Sequence, residues 1–270
     1  MSTGTCELQE VDDMNYYLSN MCGQEISRGR FGVVFQHQGS CAMKVVQRAP
    51  SRLVLQAGGA LQEDTELELQ RQLEHSCILP LLKVVQDSFQ RGYLLPLAAQ
   101  GDLMHILLAM GALKSVDGIA LARPIASALT YMHEVTVAHL DVKPENMLLM
   151  GDELLFSSVF LADFGCACSS MQPYTGCSTI AGTVTYWAPE IYEVRCQRRA
   201  SYGHCVDCWA FGVTMYSAFC GEEPFEEALS QTSPPEFLFE LSCHSWQSLR
   251  PCIQRMLFAL MEVDDSLRLP

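Results

Sequence analysis

The sequence predicts an α+β chain in two parts, a small β-rich N-terminal lobe with one main helix and a larger, mostly helical C-terminal lobe. Three observations lead there. Short apolar runs with strand-like alternation, broken by glycine-containing turns, fill roughly the first hundred residues. The stretch Leu94-Leu-Pro-Leu-Ala-Ala-Gln-Gly-Asp102 then changes composition and carries proline and glycine, as a boundary would. Beyond it, apolar residues recur at intervals of three and four. We therefore expect a short polar, acidic extension over residues 1–24 and a folded domain over 25–270, with lobes at about 25–95 and 96–270.

The elements follow in order. Ile26 to Phe35 alternates around small residues and Cys41 to Val46 follows the turn-like Gly39-Ser40, which predicts two strands joined by a turn. Residues 47–59, with Pro50 and Gly58-Gly59, read as a connection. Ala60 to Leu73 has a helical pattern through Leu61, Glu66, Leu69 and Leu73, with acidic residues early, where the helix dipole favours them. Ile78 to Val85 and Gly92 to Leu97 predict two more strands. In the second part, Ile119, Ala122, Ile125, Ala126, Leu129, Met132 and His133 mark a buried helix, in which Pro124 should cause a kink or a late start. Met147 to Met150 and Val159 to Ala162 flank Gly151-Asp152 as a hairpin, and helices are expected at roughly 204–220 and 248–262.

Composition limits the function. Hydrophobic residues are 49% and charged residues 18% of the chain, so extensive disorder is excluded. A formal charge of -14 disfavours nucleic acid and anionic membrane surfaces, whose phosphates would repel it. The apolar run Leu94 to Leu113 is interrupted by Gln100, Asp102 and His105 and is too polar for a membrane span. Thirteen cysteines, an odd number, follow an N-terminus without an apolar signal core, which points to reduced thiols in an intracellular protein, cytoplasmic or nuclear and not secreted. Cys205-Val-Asp-Cys208 has no second pair at zinc spacing, so core packing is its default reading.

The chemistry concentrates in His139-Leu-Asp-Val-Lys-Pro-Glu-Asn146. Asp141 can accept a proton from a nucleophile, Lys143 can neutralise a transferring anion, and Asn146 can hold a metal. Taken alone, such a loop also fits a solvated connection. Upstream, Gly29 and Gly32 would let backbone amides approach phosphates, Lys44 would meet the same groups from the next strand, and Glu66 is in reach of Lys44.

Together these residues resemble the eukaryotic-type protein kinase family. Its ordered motifs correspond here to Ser27-x-Gly29-x-x-Gly32-x-Val34, Ala42-Met-Lys44, Glu66, His139 to Asn146, Asp163-Phe-Gly165 and Ala188-Pro-Glu190. Asp207-Cys-Trp-Ala-Phe-Gly212 and Asp264-Asp-Ser-Leu-Arg268 match two further landmarks, so the resemblance covers about residues 25–270. It implies a bilobal kinase-like fold and an ATP- and Mg2+-dependent transferase. Asp141 and Lys143 would be catalytic, and Asn146 and Asp163 would hold the metal. Lys44, fixed by Glu66, would contact the α- and β-phosphates. Adenine would lie between the lobes, against Val34, Ala42 and Leu148. Leu95 would guard the back pocket, Pro96 to Ala98 would bind the base edge, Asp102 would meet the ribose, and Ile26 and Leu97 complete the nucleotide-contacting set.

Lys143 and Thr183 fit the serine/threonine branch, which implies protein substrates with Ser or Thr acceptors and a chain acting as a monomer. Asp102 and Glu145 stand where kinases directed to basic substrates place acidic residues, with Ser217 at a third such position. A pseudokinase scaffold and a small-molecule kinase are the competing readings, opposed respectively by the retained Lys44, Asp141, Asn146 and Asp163 and by Thr183 with Ala188-Pro-Glu190. Several positions depart from the family pattern. Ser27 replaces the first loop glycine. Gln70 stands where an apolar residue is usual, so either the helix is offset, with Glu68 or Glu63 as the partner of Lys44, or an apolar stack is weakened. Leu140 replaces the arginine that receives an activation-loop phosphate, which leaves a phosphate on Thr175, Ser178 or Thr179 less to pair with and implies activity without it. The His-Leu-Asp form with Asp-Phe-Gly-Cys is similar to Mos-like kinases, and the compact chain also suits a pared-down viral kinase. Cys166 and Cys168 flank the metal-binding motif as structural or modifiable thiols.

Overall fold

The computed structural model describes residues 7–29, 32–48, 62–169, 176–225 and 244–269. Two compact units divide the chain, Met1–Ala98 and Ala99–Pro270. The predicted connection with Pro50 and Gly58-Gly59, the helix positions Ala60 and Leu61, and Thr175 lie outside the described residues.

In the first unit, β1 (Glu7–Glu10), β2 (Cys22–Gly29), β3 (Gly32–His37), β4 (Cys41–Gln47), β5 (Lys83–Gln86) and β6 (Gln90–Pro96) form one sheet in the order β1-β5-β6-β4-β3-β2. Among the described residues its helices are α1 (Met14–Met21) and α2 (Gln62–Gln72). The single strand expected over Ile26 to Phe35 is two antiparallel strands that meet at the Gly29 and Gly32 pair. Gly32 has φ +148°, and a Cβ there would stand 2.4 Å from the Val45 carbonyl oxygen, so only glycine fits this approach to β4. The run from Ile78 becomes strand only at Lys83, because Pro80 has no N–H for a ladder.

Residues 7–21, read from sequence as part of a polar extension, are built into this unit. β1 pairs parallel with β5 from Glu7 opposite Lys83 to Glu10 opposite Gln86. Asp13 caps α1 by accepting from the Asn15 and Tyr16 backbone N–H groups. Met14, with no exposed surface, packs with Met43, Val45 and Val85, and Tyr17, Leu18 and Phe35 cover this cluster. Burial of one such side chain stabilises by about 1.5–3 kcal/mol.

Asp87 locks this arrangement. Its carboxylate accepts from the N–H of Met14 at 2.8 Å and from those of Phe89 and Gln90 at 2.7 Å each. Burial alone would raise its pKa, but these bonds, with the charge of Arg48, hold it below the usual aspartate range. A carboxylate of this kind stabilises the fold above the unfolded pKa and loses that effect as pH falls through the folded one. Asp87→Asn should therefore cost about 1–3 kcal/mol at neutral pH. The gap between variant and wild type should close as the pH drops below the aspartate range, as followed by urea melts across pH.

The second unit contains α3 (Leu103–Met110), α4 (Ser115–Glu134), β7 (Met147–Leu149), β8 (Val159–Leu161), α5 (Pro189–Arg195), α6 (Cys205–Cys220), α7 (His244–Ser248) and α8 (Pro251–Leu260). β7 and β8 form the expected hairpin, with Met147 opposite Leu161. Helix α4 starts before Pro124 and continues through it, so the expected late start is not seen. Its buried stripe is Gly118, Leu121, Ala122, Ile125, Ala128, Leu129 and Met132. Ala126 faces outward, since a methyl group gives little drive to orient a helix. Helix α6 is buried almost throughout. No helix among the described residues is long and apolar enough to cross a membrane.

A buried ion pair ties the end of this unit to α5. Arg268 donates from Nη1 and Nη2 to Glu190 Oε1 and Oε2 at 2.5 and 2.9 Å. It also donates from Nε to the Glu262 carbonyl and from Nη1 to that of Cys205, while its guanidinium lies 5.2 Å from the Trp209 ring centre.

Candidate active site

In the second unit the site is built on Asp207, in the first turn of α6. Its Oδ2 accepts from the His139 N–H and its Oδ1 from the Leu140 N–H, both at 2.8 Å, and His133 Nε2 lies 3.0 Å from Oδ2. Complete burial would raise the pKa of Asp207, yet His133, the charge near His139 and the backbone bond keep it low. An ionised group thus holds the start of the loop from beneath. Leu140 takes φ +64°, an uncommon conformation for a branched side chain, and is itself buried. Gly182 lies against it: with φ +82°, an added Cβ would stand 2.1 Å from the Leu140 carbonyl oxygen.

This close approach delivers Thr183 to the loop. Thr183 Oγ1 donates to Asp141 Oδ1 at 2.7 Å, Lys143 Nζ donates to Thr183 Oγ1 at 2.8 Å, and Lys143 Nζ lies 2.9 Å from Asp141 Oδ2. Trp187 fixes the segment by donating Nε1–H to the Ala181 carbonyl at 2.7 Å. Asn146, in the 3-10 turn Pro144–Asn146, donates from Nδ2 to the Asp141 carbonyl at 2.7 Å and to Asp141 Oδ2 at 3.2 Å. The amide hydrogens thereby face Asp141, and Oδ1 is kept as an acceptor.

Asp163 reaches the same end of the hairpin. β7 and β8 run in register to Met147 and Leu161, and the Ala162 N–H donates to the Asn146 carbonyl, so Asn146 and Asp163 flank the end of the ladder. Asp163 has φ +63°, and its Oδ1 accepts from the Gly165 N–H at 3.3 Å. Phe164 is buried and meets His139 edge-on at 5.2 Å between ring centres, and His139 Nε2 lies 3.0 Å from the Ala162 carbonyl oxygen. An amide oxygen and a carboxylate are hard donors, suited to a small divalent cation that completes its shell with phosphate and water.

Burial, and then the charge of Asp141, push the Cys166 thiol up to about 11, so it is a protonated packing group. The thiols of Cys205 and Cys208 are likewise raised by burial, Cys208 to about 12.

In the first unit Lys44 Nζ donates to Glu66 Oε1 at 2.6 Å, with both side chains nearly inaccessible. Glu68 is exposed, and Gln70 is buried and donates Nε2–H to the Leu79 carbonyl at 3.4 Å. The helix is thus oriented with Glu66 toward β4. Tyr93, opposite Lys44 in the ladder, is pushed up to about 12 by burial and then by the charge of Glu66. The other candidate nucleotide contacts of this unit also lie on its sheet or just after it. Ile26 and Gly29 are on β2, Gly32 and Val34 on β3, Ala42 on β4 opposite Leu95 on β6, and Leu97 donates its N–H to the Ser40 carbonyl. In the second unit Asp102 caps α3, accepting from the His105 N–H at 2.8 Å, and pairs through its backbone with Leu148 on β7.

Sequence reasoning did not assign the anchoring role of Asp207 or the His133 contact. The Asp-x-Trp pattern was their only trace.

Comparison with known proteins agrees with this layout. The family described as protein kinase domain matches residues 21–270. A probable myosin light chain kinase from Dictyostelium discoideum is 33% identical over 205 residues, which is 75% of this chain and 50% of that protein. The serine/threonine-protein kinase zyg-8 of Caenorhabditis elegans is 32% identical over 74% of this chain and 25% of its own length. The Aurora kinase of Saccharomyces cerevisiae is 29% identical over 78% and 55%. The chain therefore spans between a quarter and about half of the length of these relatives. With a sheet-rich first unit that carries a lysine–glutamate pair, a helical second unit that carries the aspartate–lysine–asparagine loop, and a family match over nearly its whole length, the chain belongs to the protein kinase domain family and has its bilobal fold.

Proposed function

We propose that this chain transfers the γ-phosphate of ATP to serine or threonine hydroxyls of protein substrates, without needing activation-loop phosphorylation. The observation that carries the reading is the closed triangle of Asp141, Lys143 and Thr183, with sides of 2.7, 2.8 and 2.9 Å. Asp141 already accepts from one hydroxyl, and an incoming Ser or Thr would present the same group to the same carboxylate. Asp141 would orient that hydroxyl and take its proton, and the Lys143 ammonium would oppose charge building on the transferring group. Lys44, held by Glu66, would steady the α- and β-phosphates. Ile26, Gly29, Gly32, Val34, Ala42, Leu95, Leu97, Asp102 and Leu148 would make the remaining nucleotide contacts. Asn146 and Asp163 would hold Mg2+. When bound, the metal neutralises charge on the phosphate oxygens. Independence from phosphorylation rests on Leu140, a buried apolar side chain where the family places an arginine. Of the acidic positions that imply basic substrates, Glu145 is exposed, Asp102 is spent on capping α3, and Ser217 turns inward to the Val213 carbonyl, so any such preference would centre on Glu145. The kinase domain would span residues 25–270, acting as a monomer inside the cell.

Radiolabelled ATP offered with generic basic proteins tests the reading. Wild type should label the substrate, and Asp141→Ala should be slower by about 10²–10⁴-fold. Wild type that binds ATP but transfers nothing would favour a scaffold. Phosphatase treatment and the T175A/S178A/T179A triple substitution should each leave activity within about twofold, since neither removes a contact that Leu140 could have made. A large loss in both would mean that another basic group receives the phosphate.

A further inference from the structure

His204 stands at the cap position of α6 and caps nothing: its side chain makes no hydrogen bond to the first turn, where Ser, Thr, Asp or Asn would make one. Its ring is laid instead on that of His133, in the last turn of α4, with centres 4.4 Å apart and planes inclined by 27°. His204 Nδ1 is buried and has no hydrogen-bond partner among the described residues. His133 in turn holds Asp207, with Nε2 3.0 Å from Oδ2, and Asp207 accepts from the His139 and Leu140 N–H groups at 2.8 Å each. The His204 ring is thus connected, through His133 and Asp207, to the backbone that immediately precedes Asp141.

We propose that His204 is a positioning residue of the catalytic loop, acting through His133 and Asp207, and that a proton taken up by its ring loosens the loop. Its effect on phosphate transfer rests on the kinase reading; its effect on the loop does not. Uncharged, the ring covers one face of His133, whose side chain is only 8% exposed. Charged, it meets two oppositions. The start of a 16-residue helix is the positive pole of its dipole, where a cation is unfavourable. A cationic His204 would also face the charge of His133 across the stack.

The groups around the stack leave this balance in place. Asp207 attracts a charge on His204 but is already engaged by His133 and two backbone donors. On and before α6, burial raises the Cys205 and Cys208 thiols and the Tyr202 hydroxyl, which keeps them uncharged. His139 Nε2 is turned to the Ala162 carbonyl oxygen, and Arg268, which donates to the Cys205 carbonyl, is paired with Glu190. Glu134 on α4 and Cys252 and Arg255 on α8 are exposed. Burial, and then the charge of His133, accordingly hold His204 below its ordinary value of 6.5, against the pull of Asp207. The ring is neutral at pH 7. As pH falls from 6.5 toward the lower folded value, the unfolded chain takes the proton first and stability declines; below the folded value the folded chain carries it too. Half-buried, a charged ring can part from His133 toward solvent. Water then competes for the Asp207 carboxylate, and the start of the loop is released.

The test compares the full chain with His204→Phe, which keeps an aromatic face against His133 and takes no proton. Amide hydrogen exchange of the peptide containing His139 and Leu140 is followed by mass at about pH 5.5 and about pH 8, on either side of the ordinary histidine value. At one pH the chemical exchange rate is the same in both proteins, so a difference reports the loop. Wild type should exchange about fivefold faster than His204→Phe at the lower pH, the low end of an effector coupling, and the two should agree at the higher. The rate of phosphate transfer at the lower pH relative to the higher should be about fivefold smaller in wild type than in the variant. Where His204→Phe does not melt cooperatively, His204→Gln, which also takes no proton, replaces it. The proposal is overturned if the two proteins exchange alike at the lower pH, if they differ equally at both, as a merely structural ring would require, or if their rate ratios match. A chain that transfers no phosphate at either pH fails the kinase reading, and exchange alone then decides the role of His204.

Discussion

Asp163→Asn should abolish measurable phosphate transfer, slowing it on the order of 10³-fold, while leaving a cooperative melt near that of wild type. The choice of asparagine follows from the backbone. Asp163 has φ +63°, a region that asparagine and aspartate enter more readily than other non-glycine residues. An alanine would mix lost charge with added strain, whereas asparagine keeps the conformation and an oxygen that can accept from the Gly165 N–H. What it removes is the negative charge at the end of the β7–β8 ladder, next to the Asn146 amide. Steady-state kinetics and a thermal melt on the same preparation check both halves. A fully active variant would sink the assignment of Asp163 to metal binding.

The largest stability effect should come from Arg268→Ala, which is expected to cost about 3–5 kcal/mol. Glu190 and Arg268 are both almost wholly inaccessible, and two parallel hydrogen bonds join them. Removing the arginine leaves a buried carboxylate without its counter-charge and takes a donor from the carbonyls of Glu262 and Cys205. It also exposes one face of Trp209. Arg268→Met, which keeps much of the volume, should be nearly as costly, since the loss is of charge pairing and not of packing. Chemical denaturation of both variants checks this, and a loss below about 1 kcal/mol, the range of a surface pair, would show that the buried pair contributes little.

The α+β division and the catalytic loop were legible in the sequence for a shared physical reason. Strands and helices write their periods into apolar spacing, and a site writes itself as polar residues that the surrounding pattern does not need. Asp141, Lys143 and Asn146 stand out against an apolar helix on one side and a strand on the other. The partner of Lys44 was less legible, because Glu63, Glu66 and Glu68 are three glutamates within six residues and only the rotation of α2 against the sheet selects Glu66. β1 was invisible: Glu7-Leu-Gln-Glu10 has little strand propensity, and it is ordered by the edge of β5 that it covers.

The family match begins at residue 21, yet β1, the Asp13 cap and Met14 all precede it. A fragment cut to the match would keep every motif residue and still differ from this protein physically. It would uncover the outer edge of β5, a row of unpaired backbone groups open to strand pairing with another molecule. It would also open a void beside Met43 and strip Asp87 of one of its three donors. Such a fragment should be prone to self-association for reasons unrelated to its chemistry. The limits of a homologous region and the limits of a folding unit are, in this chain, different boundaries.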